Sequence, residues 1–172
     1  PKSDVFIDWC DGLSKLTSLH GVYLYCLDIV SRTLEKLGHP DAELYRKRYE
    51  EAKTAALSQL YDKSQNAFVC ARDKNQKSVH STVWMILGGV IDGDRAKAAL
   101  EDALNDENSL KAFTPYMNHY IVEALMKLGE DKKAFDHIRY YWGSMIELGA
   151  DTFFEMHVPG DPDYAPACGG KE

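Results

Sequence analysis

Apolar positions recur at three- and four-residue steps along most of this chain, the pattern of helices with one buried face. Leu13, Leu16, Leu19, Tyr23, Leu27, Val30, Leu34 and Leu37 form the first stripe, which Gly38 and then Pro40 close. A second helix is predicted from about Pro40–Asp41 to Tyr61. Its stripe is Tyr45, Tyr49, Ala52, Ala56 and Leu60, opposed by Arg46, Lys47, Glu50, Glu51 and Lys53. Residues 62–77 read as a polar connection with a short extended stretch at Phe68–Cys70. A third helix, about Ser78–Ile91, is nearly all apolar. A fourth, Asp94–Leu104, is short and charged. A fifth spans Thr114–Leu128 and ends at Gly129; a sixth spans about Asp131–Leu148 and ends at Gly149. Residues 158–172 are rich in Pro, Gly and Asp and read as a loop.

The helices pair. The first member of each pair is apolar (LHGVYLYCLDIV, VHSTVWMILGGVI, MNHYIVEALM), and the second is amphipathic (ELYRKRYEEAKTA, DRAKAALEDAL, DKKAFDHIRYYW). Glycine ends and short joins predict helical hairpins. Alternation of apolar and polar helices is what an inner and an outer ring would require. The expectation is one all-α domain over residues 1–172, built of three hairpins that form an arc of a ring. First helices begin near residues 18, 78 and 114, so no strict repeat period supports a tetratricopeptide or ankyrin array.

Charge narrows the partners. Twenty basic and 27 acidic residues leave a net charge of −7, which argues against binding a phosphate backbone or an anionic membrane surface. No apolar run approaches the ~20 residues needed to span a bilayer. The chain begins at Pro1 without a cationic segment and apolar core of the signal-peptide kind, so it is expected to be a mature product or an excised piece. Cys10, Cys26, Cys70 and Cys168 show no metal-ligand spacing, and Cys26 and Cys70 are expected to be buried thiols. Neither a metal nor another cofactor is expected, since His20, His80, His119, His137 and His157 are dispersed and make no HExxH pair. His80 and His119 interrupt apolar helices, as hydrogen-bonded core histidines or as pocket lining. The pair Gly88–Gly89 is expected to permit close helix packing.

Two segments could carry chemistry. In GADTFFEMH, Asp151 and Glu155 flank Thr152, Phe153 and Phe154. A carboxylate beside aromatic rings suits acid or base work; an N-cap Asp151 with a solvated Glu155 is the plain alternative. In FIDWCDG, Asp8, Trp9 and Asp11 set two carboxylates beside an indole, equipment for stacking a sugar ring and binding its hydroxyls. The alternative is Asp11 or Ser14 as a helix cap with Trp9 packed on the bundle.

These segments, with FTPYMNHYIVEAL between them and YYWGSMIELGADTFFE running into the second, resemble the C-terminal part of the catalytic domain of bacterial inverting α-L-rhamnosidases. The resemblance runs from about Phe6 to Tyr164. It implies an incomplete (α/α)6 toroid, a fragment of a larger catalytic domain. It implies Glu155 as the general base, with Phe154 where the family more often has Trp. Asp8 and Trp9 would line the sugar subsite with Asp11. Tyr116, His80, Ser81 and Thr82 would sit near the same rim. The general acid of the family lies in a segment preceding its Asp-Trp, and a further His lies beyond the base; neither segment is in this sequence. The chain alone is therefore expected to be inactive, since inversion needs both carboxyl groups. The resemblance also implies rhamnose-containing glycosides or polysaccharides as substrates and a periplasmic or extracellular bacterial location. Inner-helix surface left exposed by a partial ring is expected to favour self-association. Two other readings are another carbohydrate-active (α/α)6 enzyme and a helical-repeat scaffold that binds a protein.

Overall fold

A computed structural model describes residues 5–71 and 74–161. The chain clusters into two compact units, Pro1–Gly12 with Lys111–Glu172, and Leu13–Leu110. The described residues are mostly helical, with six α-helices and a small antiparallel sheet among them.

The unit of Leu13–Leu110 holds α1 (Leu16–Lys36), α2 (Ala42–Gln59), β1 (Tyr61–Asp62), β2 (Ala67–Ala71), β3 (Lys74–Lys77), α3 (Val79–Leu87) and α4 (Gly93–Asn105). Helix α3 is its core. All nine of its residues are buried, which is why its sequence carries no polar face. Its start is set by Ser78, whose Oγ accepts the Ser81 backbone N–H. Helices α1, α4 and strand β2 pack on it. The crossing of α1 on α3 is very close. A Cβ placed on Gly21 would lie 2.7 Å from the backbone carbon of Trp84, and one on Gly88 would lie 2.9 Å from the Gly21 carbonyl oxygen. The approach expected of Gly88 is therefore real, and its counterpart is Gly21. The Tyr49 hydroxyl of α2 donates to the Gly88 carbonyl at 3.1 Å, and burial pushes its pKa up.

The helical expectation holds for most of the described residues, and a small sheet adds to it. β1 pairs with β2 through Tyr61↔Phe68, and β2 with β3 through Val69↔Lys77 and Ala71↔Lys74. The polar residues at 62–66 make the first turn: Asp62 Oδ1 accepts from the Ser64 backbone N–H at 2.8 Å, and Asn66 takes a positive φ of 47°. Phe68 and Cys70 are fully buried on one face of β2, so the extended stretch read from the sequence is its central strand. At the end of β3, Lys77 bridges Asp102 of α4 and Asp106. This ion pair lowers the Asp106 pKa to about 2 and raises that of Lys77.

Helix α1 differs from α3. Leu24 and Leu27 are buried, but Leu16, Leu19, Tyr23, Ile29 and Val30 are exposed. Much of the stripe read from the sequence thus faces outward. Cys26 is exposed as well, contrary to its expected burial. It lies two residues, about 200° of helix rotation, beyond buried Leu24. Cys70 is buried as expected, and Cys168 lies outside the described residues. The capping alternatives for the start of α1 do not occur. Its N-cap is Lys15 without a side-chain hydrogen bond, while the Ser14 backbone N–H faces Gln76 Oε1.

The other unit carries α5 (Pro115–Lys127) and α6 (Asp131–Glu147), packed on each other. Thr114 Oγ1 caps α5 by accepting the Met117 N–H, with Pro115 in the first turn. At the end of α6 the Gly149 N–H donates to the Ile146 carbonyl and the Ala150 N–H to the Met145 carbonyl. Gly149 has φ +84°, the left-handed turn that this helix ending demands. It releases the chain into the loop that carries Glu155.

Candidate functional site

The peptide joining Phe113 to Thr114, just before α5, organises this unit. Asp8 is 3% exposed, and its carboxylate accepts the Phe113 N–H at 2.8 Å and the Thr114 N–H at 3.0 Å. It also accepts the Trp9 N–H at 3.0 Å. On its other side the Phe113 carbonyl accepts the Tyr141 hydroxyl at 2.7 Å and the His157 backbone N–H at 2.8 Å. Burial raises the Tyr141 pKa far above the ordinary phenol range, so the hydroxyl stays protonated and donating. The His157 ring lies against Ser144 of α6, with Nε2 and Oγ 2.8 Å apart. Three residues distant in sequence, Asp8, Tyr141 and His157, are thereby tied to the backbone at Phe113–Thr114.

These ties hold two pieces of chain. Asp8 fixes the segment bearing Trp9, and His157 fixes the loop bearing Glu155 two residues earlier. The two meet: the Trp9 indole Nε1–H donates to Glu155 Oε1 at 3.2 Å. Both side chains are exposed, Trp9 by 51%. Phe6 sits edge-on to Trp9 with ring centres 5.1 Å apart, and Tyr116 lies 5.9 Å from Phe6. Tyr116 contacts Tyr120 at 5.0 Å, and burial, with Tyr120 adding to it, pushes the Tyr116 pKa up to about 12. The outcome is one open carboxylate bordered by a row of aromatic rings.

The predicted site residues therefore separate. Glu155, Trp9 and Tyr116 fall into one neighbourhood of this unit. Asp8 belongs to it as a buried anchor whose acceptors are turned to backbone amides. Phe154 is half-buried, and its ring rests on His157 at 5.8 Å. Asp11 is exposed, and Asp151 is exposed in a bend with no helix following it among the described residues, so it caps nothing. His80, Ser81 and Thr82 belong to the other unit, where all three are buried on α3. The hydroxyls of Ser81 and Thr82 are engaged with Ser78 at the start of that helix. His119 is exposed on α5, against Tyr120 and Glu123, and is not a core histidine.

Sequence reasoning missed His157, Tyr141, Phe113 and Phe6. In the sequence the first is one of several scattered histidines. The one available signal was its place at the end of the Glu155 segment. Among the described residues no three His, Cys, Asp or Glu side chains converge on a common point, and no helix is long and apolar enough to cross a membrane.

An open carboxylate thus lies beside indole, phenyl and phenol rings on a mostly helical scaffold. The relationship is to rhamnosidases. The chain superposes on a rhamnosidase from Klebsiella oxytoca, solved with rhamnose bound, with a TM-score of 0.86 and 33% identity over 92% of its length. It also superposes on a GH78 family rhamnosidase of Bacillus sp. GL1, with a TM-score of 0.80 and 20% identity over 96% of its length. It spans 31% of the first of these proteins and 19% of the second. No family model and no curated protein matches the sequence. The chain is thus rhamnosidase-related, matching a part of these enzymes.

Proposed function

We propose that the chain contributes the base side of an inverting α-L-rhamnosidase site, within an (α/α)6 catalytic domain, and that Glu155 is the general base. The observation that carries this reading is the Trp9–Glu155 pair. A base must keep one oxygen open to water while its carboxylate stays oriented. The indole N–H engages Oε1 and leaves Oε2 for a water molecule. Proton transfer from that water to Glu155 would accompany its attack on the anomeric carbon of a terminal rhamnosyl group. The leaving oxygen departs from the opposite face and takes its proton from an acid about 6.5–9.5 Å from the base. The resemblance assigns that acid to a segment preceding Asp8–Trp9, so the 172 residues by themselves are expected not to turn over.

The rhamnosidase with bound rhamnose is the support for the sugar. The stacking face of Trp9 is the support for its location, since a pyranose lays its C–H face on an aromatic ring while its hydroxyls seek carboxylates. The test uses the complete natural gene product on an aryl α-L-rhamnoside. Glu155→Gln is expected to lower kcat by about 10²–10⁴-fold, and the first product seen by NMR is expected to be the inverted anomer. A Glu155→Gln variant as fast as the wild type would remove Glu155 from the chemistry.

A further inference from the structure

The loop that carries Glu155 has no secondary structure of its own to hold it. Residues 150–161 form neither helix nor strand. They leave α6 at Gly149 and turn again at Gly160, with φ of +84° and +85°, and a Cβ on either glycine would meet open space. Without a ladder of hydrogen bonds, such a loop takes its shape from the groups that pin it. His157 is the pin. It is 1% exposed, while Glu155 two residues earlier faces solvent. Its backbone N–H donates to the Phe113 carbonyl. Its ring lies between Tyr141 of α6 and Phe154, with centres 5.8 Å from each. Phe154 and His157 stand on either side of Glu155 in the chain, so one imidazole sets both flanks of that residue.

Ser144 decides how that ring is held. Its hydroxyl donates to the Tyr141 carbonyl one turn earlier in α6, at 2.8 Å. A hydroxyl has one proton to give, so toward His157 Nε2, also 2.8 Å away, the same oxygen accepts. Nε2 therefore carries a proton, and the imidazole donates to a hydroxyl that α6 holds still. We propose that Ser144 and His157 are positioning residues for the hydrolysis: their Nε2–H···Oγ bond latches the Glu155 loop to α6, so that the carboxylate meets the Trp9 indole and the attacking water in one orientation. The inference rests on the reading of Glu155 as the base. Both residues act through the loop rather than on the reacting atoms. A base must be aligned with its water, and a displacement of about 1 Å caused by a change away from the chemistry costs about 10²-fold in rate. The stacking face of Trp9 is held separately, by the anchoring of Asp8 next to it. Loss of the latch therefore falls on kcat rather than on KM.

The test measures kcat and KM of the complete natural gene product on 4-nitrophenyl α-L-rhamnoside, well below the unfolding midpoint of each variant. Ser144→Ala removes the acceptor and is expected to lower kcat about 10–100-fold with KM changed by less than about twofold. His157→Leu removes the donor and is expected to fall by a similar factor. The double variant is expected to fall no further, because both changes break the same bond. His157→Gln returns an N–H donor on a side chain of similar reach and is expected to recover most of the kcat that His157→Leu loses. If His157→Leu does not fold, Ser144→Ala and its combination with His157→Gln decide. An unchanged kcat in Ser144→Ala, losses that multiply in the double variant, or a rise in KM alone would overturn the latch, while a slow Glu155→Gln variant keeps the base assignment standing. A Glu155→Gln variant as fast as the wild type, or no hydrolysis by the wild type, would overturn the base assignment and this inference with it.

Discussion

The indole N–H of Trp9 reaches the carboxylate of Glu155 across a sequence separation of 146, at 3.2 Å. A hydrogen bond to a charged acceptor contributes about 1.5–3 kcal/mol where it is shielded from water and less in the open. Trp9→Phe keeps a stacking face and removes the donor. The expected outcome is a fall of about tenfold in kcat on an aryl α-L-rhamnoside with KM little changed. A rise in KM alone would show that Trp9 serves only as a stacking surface.

Asp8 makes a sharper prediction about stability. Its buried carboxylate holds the amides of Phe113 and Thr114, and Thr114 is itself buried. Truncation to Ala leaves these donors without their acceptor, at a cost of about 1–3 kcal/mol for each buried group. Asp8→Ala is expected to lower unfolding free energy by about 3 kcal/mol in a urea titration. Amide exchange at Phe113 and Thr114 is expected to accelerate before global unfolding. Asp8→Asn, which keeps one acceptor oxygen, is expected to lose less.

Close helix contact at Gly21 yields a steric prediction. A methyl group there would press on the Trp84 backbone, which cannot rotate away as a side-chain tip could. Gly21→Ala would gain helix propensity, worth about 1 kcal/mol. Separation of α1 from α3 costs about 1–3 kcal/mol by overpacking. The expected net result is a lower thermal midpoint, and an unchanged or raised midpoint would disprove the close crossing.

His137 sets a pH dependence. Its Nε2 lies 2.8 Å from Asn118 Oδ1, and burial lowers its pKa to about 4. The unfolded chain holds its proton up to about pH 6.5. Between pH 6.5 and 4 the unfolded state therefore binds more protons, and stability falls as the solution is acidified. The full stabilisation is present above pH 6.5 and is on the order of 3 kcal/mol. His137→Gln is expected to flatten the decline of stability with falling pH over that window, measured by urea unfolding at several pH values. An identical slope in both proteins would show that other groups carry it.

The helices, their order and most of their ends were legible in the sequence. Periodicity of apolar residues is local, and each helix ending needs only a few neighbouring residues, as Gly38, Gly129 and Gly149 show. The uniformly apolar third helix announced its own burial, because a helix without a polar face can be satisfied only by protein on all sides. Glu155 and Trp9 stood out because their segments mix carboxylates with aromatic rings and because those segments resemble a known family.

Other features needed the folded chain. The small sheet depends on pairing Val69 of the apolar strand β2 with Lys77 of the polar strand β3, a match that no apolar period marks. Exposure of Cys26 and much of the α1 stripe depends on which side of that helix α2 and α3 occupy. The separate duties of Asp8 and Glu155 depend on what surrounds each: buried amides in one case, open solvent and an indole in the other. Local sequence determines how a segment folds along its own length. Only tertiary structure decides which distant groups a side chain meets, because hydrogen bonds and burial depend on distance in space, and Asp8 is separated from Phe113 by 105 positions.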